Sequence, residues 1–188
     1  MKEVEILVKI FDSKEEILEK LNKFNFIGVE KTLDIYFQDP KREDLQANKE
    51  GLLEKSFRLR KKGDKTYITY KVDQLGEDGN WLYSDEHETE VQDFDIMMKI
   101  IAHLGLEILV ELENHKHIFL TDEYEIVFED VKDLGLFLEV EKLNVEDNDD
   151  IEKIKKDIRK FIENLGIKSK EELNIGKPGL MWLKKNNK

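Results

Sequence analysis

Pairs of like-charged residues separated by one position recur along this chain, and they carry its clearest chemical signal. The pairs are Glu3 with Glu5, Arg58 with Arg60, Glu88 with Glu90, and Glu139 with Glu141. Grouped carboxylates suit a hard divalent cation such as Mg²⁺ or Mn²⁺. Arginine and lysine suit phosphate oxygens, because they form charge-assisted hydrogen bonds and arginine adds a two-pronged fork. Both kinds of residue together are what a polyphosphate–metal complex requires of a binding site.

A spacing of two places both members of each pair on one face of a β-strand. In residues 2–11, apolar side chains at the even positions from Val4 to Ile10 alternate with Glu3, Glu5, Leu7 and Lys9. Residues 55–62 place their arginines on one face, and a turn at Gly63-Asp64 leads to a hairpin partner at 65–72 that contains Lys71. In 81–91, Glu86, Glu88 and Glu90 also share one face. The signs of charge are therefore sorted by strand.

The rest of the chain divides into further strands and a few helices. Strands are predicted at 33–38, 108–113, 116–121, 123–130 and 137–143, which makes about eight or nine in all. Helices are predicted after Ser13, after Asp93 and over 151–165, and a short fourth helix is predicted from Ser169 and Glu172. Antiparallel hairpins with inserted helices indicate an α+β fold, with residues 1–188 as a single domain built on a large antiparallel sheet or a closed barrel.

The charged faces of these strands have two interpretations. On a half-exposed sheet they would point to water and form interlocking surface salt bridges. Alternatively, the sheet closes with these faces inward, so that its interior is hydrated and charged while the apolar core lies between sheet and helices. A barrel of about eight strands can enclose side chains or one small ligand. The occurrence of both signs on single faces at strict period two favours the second interpretation.

Composition excludes several classes of site. The 188 residues include no cysteine, so disulfides, zinc–thiolate sites and thiol nucleophiles are absent. The 31 Lys and Arg residues against 43 Asp and Glu residues give a net charge of −12, which disfavours broad nucleic-acid binding. No apolar run approaches the roughly 18–20 residues of a membrane span. We therefore expect a soluble cytoplasmic protein with neither a nucleic-acid nor a membrane partner.

The order and spacing of these motifs resemble those of the CYTH superfamily, the triphosphate tunnel metalloenzymes. That group includes class IV adenylate cyclases, thiamine triphosphatases and inorganic tripolyphosphatases. The resemblance covers almost the whole chain, and its motifs are Glu3-Val-Glu5, Asp34-Ile-Tyr36-Phe37, Phe57-Arg58-Leu59-Arg60, Thr69-Tyr70-Lys71, Glu88-Thr-Glu90 and the block from Leu134 to Glu141. It implies an eight-stranded antiparallel β-barrel, or tunnel, with helices packed outside and a triphosphate-containing small molecule inside.

The resemblance also implies a role for each matching residue. One or two Mg²⁺ or Mn²⁺ ions would be held by Glu3, Glu5, Glu139 and Glu141. The substrate would be bound or lined by Lys9, Arg58, Arg60, Lys71, Lys116, Glu88 and Glu90. Within these sets, the catalytic residues would be Glu5, Glu139 and Lys71.

The chain departs from the family pattern at a few positions. Leu7 stands where the family has a lysine, Asn114 and Lys116 stand at a usually basic pair, and Glu129 replaces an aspartate. Near the C-terminus, 176–179 is interpreted as a turn whose Lys177 could cover the end of the tunnel. The basic residues of 184–188 are interpreted as a solvated tail.

Three functions follow from this resemblance. The first is a metal-dependent phosphohydrolase acting on inorganic tripolyphosphate, thiamine triphosphate or a nucleoside triphosphate. The second is a class IV-type adenylate cyclase that makes cyclic AMP and pyrophosphate from ATP. The third is a non-catalytic module that binds polyphosphate or nucleotide, which the departures at Leu7 and Asn114 favour. A monomer or a homodimer is expected in each case.

Overall fold

The computed structural model describes residues 2–77 and 79–186, so residues 187 and 188 of the predicted tail lie outside the described residues. The strands are β1 (Lys2–Glu3), β2 (Glu5–Lys9), β3 (Asn25–Gln38), β4 (Lys55–Lys62), β5 (Lys65–Leu75), β6 (Trp81–Val91), β7 (Glu107–Leu120), β8 (Tyr124–Val131) and β9 (Gly135–Lys142). The helices are α1 (Lys14–Leu21), α2 (Phe94–His103), α3 (Ile151–Asn164) and α4 (Lys177–Asn186), and a 3₁₀ turn spans Glu43–Leu45.

The strands form one antiparallel sheet that closes on itself through its first strand. The order across the sheet is β1-β6-β5-β4-β3-β7-β8-β9-β2. Its two outermost strands, β1 and β2, are consecutive in the chain and separated only by Val4. Glu3 pairs with Ser84 of β6, whereas Glu5 pairs with Glu141 of β9. One stretch of chain thus joins both edges of the sheet, and the predicted eight-stranded barrel is confirmed with its first strand broken in two.

The segment that follows α3 covers the remaining free edge of β2. The N–H of Lys170 donates to the carbonyl of Lys9, and the N–H of Leu173 donates to the carbonyl of Leu7, both at 2.9 Å. These bonds satisfy backbone groups that an open strand edge would leave unpaired. The segment therefore completes the wall of the barrel next to the first strand.

The short helix predicted from Ser169 and Glu172 is wrong for this reason. Ser169 forms an antiparallel bridge with Ile10. The carboxylate of Glu172 forms ion pairs with Lys155 and Arg159 of α3 rather than with a helix N-terminus. A helix cap is worth only about 1 kcal/mol, which is less than the cost of leaving several backbone groups of a strand edge without partners.

The other three predicted helices are confirmed as α1, α2 and α3. The side chains of Ser13, Asp93 and Asp150 each accept a hydrogen bond from a backbone N–H in the first turn of their helix. These bonds satisfy amide groups that have no partner within the helix. None of the helices in the described part of the chain combines the length and apolar character needed to span a membrane.

The apolar faces of the strands pack outward against these helices. Ile6 and its alternating neighbours in β2 share a buried cluster with Ile17 of α1 and Ile158 of α3. On another side of the barrel, Leu59 of β4 packs with Ile101 of α2. The predicted core between sheet and helices is confirmed, and the charged faces of the strands are thereby turned into the barrel.

Two of the predicted strands are one continuous strand. The segments 108–113 and 116–121, predicted as separate strands, are both part of β7. Asn114 is buried with 2 % of its surface exposed, and its amide donates to Thr32 Oγ1 at 3.0 Å and to Asp34 Oδ2 at 3.1 Å. Because neighbouring strands supply these acceptors, β7 continues without a break.

The interior of the barrel has a charged half and an apolar half. The apolar half is a buried cluster of inward-facing side chains and one residue of α4, namely Leu7, Tyr36, Val110, Leu112, Val131, Phe137 and Met181. This cluster closes one end of the barrel. We use the word bore for the remaining, charged part of the interior.

The helix α4 replaces the turn and the solvated tail that the sequence predicted near the C-terminus. Met181 is 6 % exposed, and Leu180 and Trp182 pack against the same apolar cluster. The helix fits closely against the loop before β4, since a Cβ added at Gly179 would lie 2.1 Å from the carbonyl oxygen of Gly51. Neither a cap nor a periodic pattern marks this helix in the sequence, so its position depends on packing inside the barrel.

The contact between Gly179 and Gly51 predicts a steric effect on stability. We expect Gly179→Ala to lower the free energy of unfolding by about 1–3 kcal/mol, because the new methyl group would force α4 away from backbone atoms. Gly28→Ala is the matched control, since its Cβ would meet nothing within 4 Å. Urea unfolding of both variants measures the difference. Equal stabilities would show that α4 does not depend on this close approach.

Candidate functional site

The pairing register brings the predicted charged residues onto the inner surface of the barrel. Glu5 stands beside Glu141 in the ladder between β2 and β9. Arg58 of β4 stands beside Thr69 of β5, which in turn stands beside Glu88 of β6. Since directly paired residues point to the same side of a sheet, acidic and basic side chains from separate strands face one another across the bore.

Lys71 connects the first strand with β5 and β6. Its ammonium lies 2.9 Å from Glu3 Oε2, 3.2 Å from Glu5 Oε1 and 3.9 Å from Glu86 Oε2. Burial alone would lower the pKa of Lys71, but Glu5, Glu3 and Glu86 outweigh burial and hold that pKa well above its ordinary value. Lys71 is therefore a charged group held chiefly by carboxylates.

Two acidic residues of the bore have raised pKa values. Burial, followed by the charge of Glu139, raises the pKa of Glu5 from 4.5 to about 7. Burial, followed by the charges of Glu5 and Glu3, raises the pKa of Glu141 from 4.5 to about 8. These carboxyl groups repel one another, so a cation placed among them would be stabilised.

Glu139 behaves differently from its acidic neighbours because α4 brings Lys177 next to it. The Lys177 ammonium lies 2.7 Å from Glu139 Oε2 and 2.8 Å from Glu129 Oε1. Burial would raise the pKa of Glu139, but Lys177 and Lys116 outweigh it and hold the pKa well below its usual range. Glu129 is fully buried and also pairs with Lys116 at 3.1 Å.

Arg60 is held in a fixed orientation by a buried carboxylate. Its Nε and one terminal nitrogen each lie 2.7 Å from an oxygen of Asp34, which is 2 % exposed. Although burial would raise the pKa of Asp34, the Arg60 guanidinium holds it far below its ordinary value. The amide of Asn114 donates to the same carboxylate at 3.1 Å. Asn114 thus supports the orientation of Arg60.

Arg58 has one donor nitrogen paired with its neighbours and another that is buried and unpaired among the described residues. One of its terminal nitrogens donates to Thr69 Oγ1 at 3.0 Å and to Glu88 Oε2 at 3.1 Å. Its Nε is buried and has no hydrogen-bond partner among the residues that the structure describes. A buried donor of this kind costs free energy unless it meets an acceptor, so Arg58 is suited to receive an anionic ligand.

Two of the predicted substrate-lining residues lie at the margins of this arrangement. Glu90 pairs with Lys65 at 3.0 Å, and both side chains are more than half exposed. The ammonium of Lys9 donates to the carbonyl of Leu134 at 3.0 Å and stands 5.7 Å from the ring centre of Phe137. Because Phe137 belongs to the apolar cluster, the structure does not bring Lys9 together with the other predicted cations.

The sequence motifs missed several residues of the bore. Glu86 was placed on the correct strand face but given no role, and Asp34 was only part of a motif. Lys177 was considered only as a cover for the tunnel end. A signal was available for both, since Glu86 alternates with Glu88 and Glu90 and Asp34 lies within a quoted motif. No local pattern could have placed Lys177, because its position depends on the packing of α4.

The chemistry of the acidic cluster suits a divalent metal ion. Four inward carboxylates from the two halves of the first strand and from β9 supply hard oxygen donors, namely Glu3, Glu5, Glu139 and Glu141. Burial, together with neighbouring carboxylates, raises the pKa of two of them, Glu5 and Glu141. Within residues 2–77 and 79–186, however, no three acidic or histidine side chains are already arranged to hold a metal ion. Instead, lysine ammonium groups contact three of the four carboxylates.

Comparison with known proteins agrees with this geometry. The CYTH domain profile matches residues 1–174. A Methanocaldococcus jannaschii protein named "Putative adenylate cyclase MJ0240" is 30% identical over 172 residues, which cover 89% of this chain and 91% of that protein.

Solved structures share the fold. The PH1012 protein of Pyrococcus horikoshii OT3 superposes with a TM-score of 0.75 at 25% identity, covering 95% of this chain and 98% of that one. A Hippeastrum protein, described as a "putative adenylyl cyclase" with a dominant triphosphatase activity, has a TM-score of 0.64 at 15% identity, covering 99% and 96%. With a profile match over most of its length and a relative at 30% identity, the chain belongs to the CYTH family.

Proposed function

We propose that this protein is a divalent-metal-dependent triphosphate hydrolase. The observation that carries the proposal is that an acidic cluster and several cations adjoin one another in a single enclosed bore, with Lys71 in contact with both Glu3 and Glu5. Membership of the CYTH family supports it, since triphosphate tunnel enzymes are generally metal-dependent. The substrate is inorganic tripolyphosphate, thiamine triphosphate or a nucleoside triphosphate.

The acidic residues have the role of binding the metal. Glu3, Glu5, Glu139 and Glu141 would hold one or two Mg²⁺ or Mn²⁺ ions. When bound, such an ion supplies charge neutralisation at phosphate oxygens and Lewis acidity towards a water molecule. Glu5 and Glu139, each of which contacts a lysine of the bore, would position the water that attacks the terminal phosphorus.

The basic residues have the role of binding the phosphates. Arg60, oriented by Asp34, and Arg58, with its unpaired Nε, would donate to phosphate oxygens from β4. Lys71 and Lys116 would add charge from neighbouring strands and offset the negative charge that develops as the terminal P–O bond breaks. Glu88 fixes the position of Arg58 through its hydrogen bond at 3.1 Å.

An adenylate cyclase is the second candidate, favoured by the name of the Methanocaldococcus jannaschii relative. Cyclisation needs a surface that recognises the adenine base. The ring of Trp81 is the aromatic group beside Lys71, and ammonium groups of Lys71 and Lys155 lie 5.7 Å and 4.7 Å from its centre. Because cations already occupy positions over this ring, base stacking there is hindered, and hydrolysis is the better supported reaction.

Product analysis tests the two candidates. The protein is incubated with tripolyphosphate, thiamine triphosphate or ATP, each with and without Mg²⁺ or Mn²⁺, and the products are followed by ³¹P NMR. We expect metal-dependent release of orthophosphate. Cyclic AMP with pyrophosphate would instead support the cyclase. Binding of a triphosphate without turnover would overturn both and identify a non-catalytic binding module.

The role of Glu5 predicts the effect of its neutralisation. We expect Glu5→Gln to lower the metal-dependent rate by about 10²-fold or more, because a carboxylate that positions the reacting groups is lost. Glu113→Gln is the matched control, since Glu113 is exposed on the outer face of β7 and pairs with Lys132. Steady-state rates with the best substrate measure both variants. An unchanged rate for Glu5→Gln would refute the assigned role of this residue.

The raised pKa values predict how the stability of the metal-free protein depends on pH. Glu5 and Glu141 keep their protons up to about pH 7 and about pH 8 when folded, but ionise near 4.5 in the unfolded chain. The folded state therefore binds more protons across this interval, and its free energy of unfolding falls as the pH rises. We expect a smaller fall for Glu141→Gln, by a few kcal/mol at most, since one pKa unit corresponds to about 1.4 kcal/mol.

Urea unfolding in EDTA at several values from about pH 5 to about pH 8.5 measures this effect. The comparison between the two proteins isolates Glu141 from the other titrating groups, which both proteins share. Stability curves that run parallel for wild type and Glu141→Gln over this interval would contradict the prediction.

A further inference from the structure

A small cavity borders the apolar cluster of the barrel interior. Its volume is about 310 Å³, which lies at the lower end of the range for small-molecule sites. Its walls come from β2, the turn before β9, β9 itself, the segment after α3, and α4. Among the described residues that line it, none takes part in the ion pairs of the bore. The cavity is therefore separate from the proposed active site.

The floor of this cavity is apolar. Phe137 is fully buried in the apolar cluster, and Leu134, Leu173 and Leu180 pack against that cluster while remaining only partly buried. Leucines from three separate segments thus leave apolar surface at one small cavity. An apolar group of a ligand placed there would remove this surface from water, which is favourable in proportion to the area covered.

The rim of the cavity carries an excess of positive charge. Lys9, Lys170 and Lys184 line it, and Asp133 is the one acidic residue among its described lining residues. Asp133 is already paired, since its Oδ1 lies 3.8 Å from the ammonium of Lys184. No carboxylate of the described residues lies within ion-pair distance of the other two lysines. In a chain with a net charge of −12, this local excess of cations indicates a site for an anion.

The backbone holds these two unpaired lysines next to each other. Ile10 forms an antiparallel bridge with Ser169, and the N–H of Lys170 donates to the carbonyl of Lys9 at 2.9 Å. Lys9 and Lys170 are therefore directly opposite residues, whose side chains point to the same side. Like charges in this position repel each other and destabilise the pairing. The ammonium of Lys9 donates to the carbonyl of Leu134, a neutral acceptor that does not cancel this repulsion.

We propose that this cavity binds a small amphipathic anion, a carboxylate with a short apolar chain. The carboxylate lies between Lys9 and Lys170 and accepts charge-assisted hydrogen bonds from both. The chain covers the three leucines of the floor. The ligand thus cancels the repulsion between the lysines and removes apolar surface from water. This inference goes beyond the proposed function and does not depend on it, and it gives a ligand to Lys9, which lies apart from the other predicted cations of the bore.

NMR titration of the ¹⁵N-labelled full chain with hexanoate tests this site. Acetate, which lacks the apolar chain, and hexanol, which lacks the charge, are the matched probes. We expect both to bind at least about tenfold more weakly than hexanoate. The comparison with acetate measures the contribution of the leucines, and the comparison with hexanol measures that of the lysines. Absence of hexanoate binding, or binding no tighter than that of either matched probe, would overturn the inference.

Charge reversal at the rim tests the position of the head group. We expect Lys170→Glu to weaken hexanoate binding about tenfold, because its carboxylate takes the place of the ligand's beside Lys9. Lys170 is exposed, so the fold does not depend on it. Lys168→Glu is the matched control, since Lys168 belongs to the same segment but lies 3.9 Å from Asp12 and does not line the cavity. Equal affinities in the two variants would contradict the proposed site.

The same titration shows which part of the barrel hexanoate occupies. Its amide shifts should centre on Lys170 and Leu173 and leave the signals of Lys71 and Glu5 unchanged. Shifts centred on the bore would mean that hexanoate binds among the cations of the active site, and the inference would fail while the proposed function stood. Absence of triphosphate hydrolysis would refute the proposed function and leave this site as it is.

Discussion

The structure depends on the pairing of charged side chains inside a closed barrel. A carboxylate or an ammonium removed from water is costly unless an opposite charge replaces its hydration. The barrel turns acidic and basic residues of several strands inward, and the lysines and arginines described in the bore each contact a carboxylate. Lys71 with Glu3 and Glu5, and Arg60 with Asp34, are the clearest examples. The bore is thus neutralised internally and still composed of groups that bind metal and phosphate.

This pairing is possible because the barrel separates its charged half from an apolar half. Leu7, Phe137 and Met181 belong to the apolar half, apart from the carboxylates and cations of the bore. The helix α4 connects the two halves: its first residue lies among the carboxylates, and Met181, one turn later, lies in the apolar cluster. Burial of apolar side chains favours docking of the helix. The docked helix in turn holds the ammonium of its first residue in the bore.

The carboxyl groups of the acidic cluster consequently differ in their pKa values. Glu5 and Glu141 have raised pKa values because burial and neighbouring carboxylates disfavour their charge. Glu139, equally enclosed, has a lowered pKa because Lys177 and Lys116 stabilise its charge. A small change in the position of one helix would alter this division. The pKa values inside this shared family fold therefore depend in part on α4, which lies outside the residues that the family profile matches.

The fold and most of the bore can be predicted from the residue pattern. Strict alternation identified which face of each strand is charged, and caps such as Ser13 and Asp93 identified three helices, because these signals act between residues close in the chain. The positions of the remaining residues depend on how distant segments pack together. Ser169 joins a strand edge instead of starting a helix, Lys9 lies beyond the apolar cluster, and Lys177 reaches Glu139. These outcomes depend on contacts between segments far apart in the chain, and no local pattern of residue types encodes such contacts.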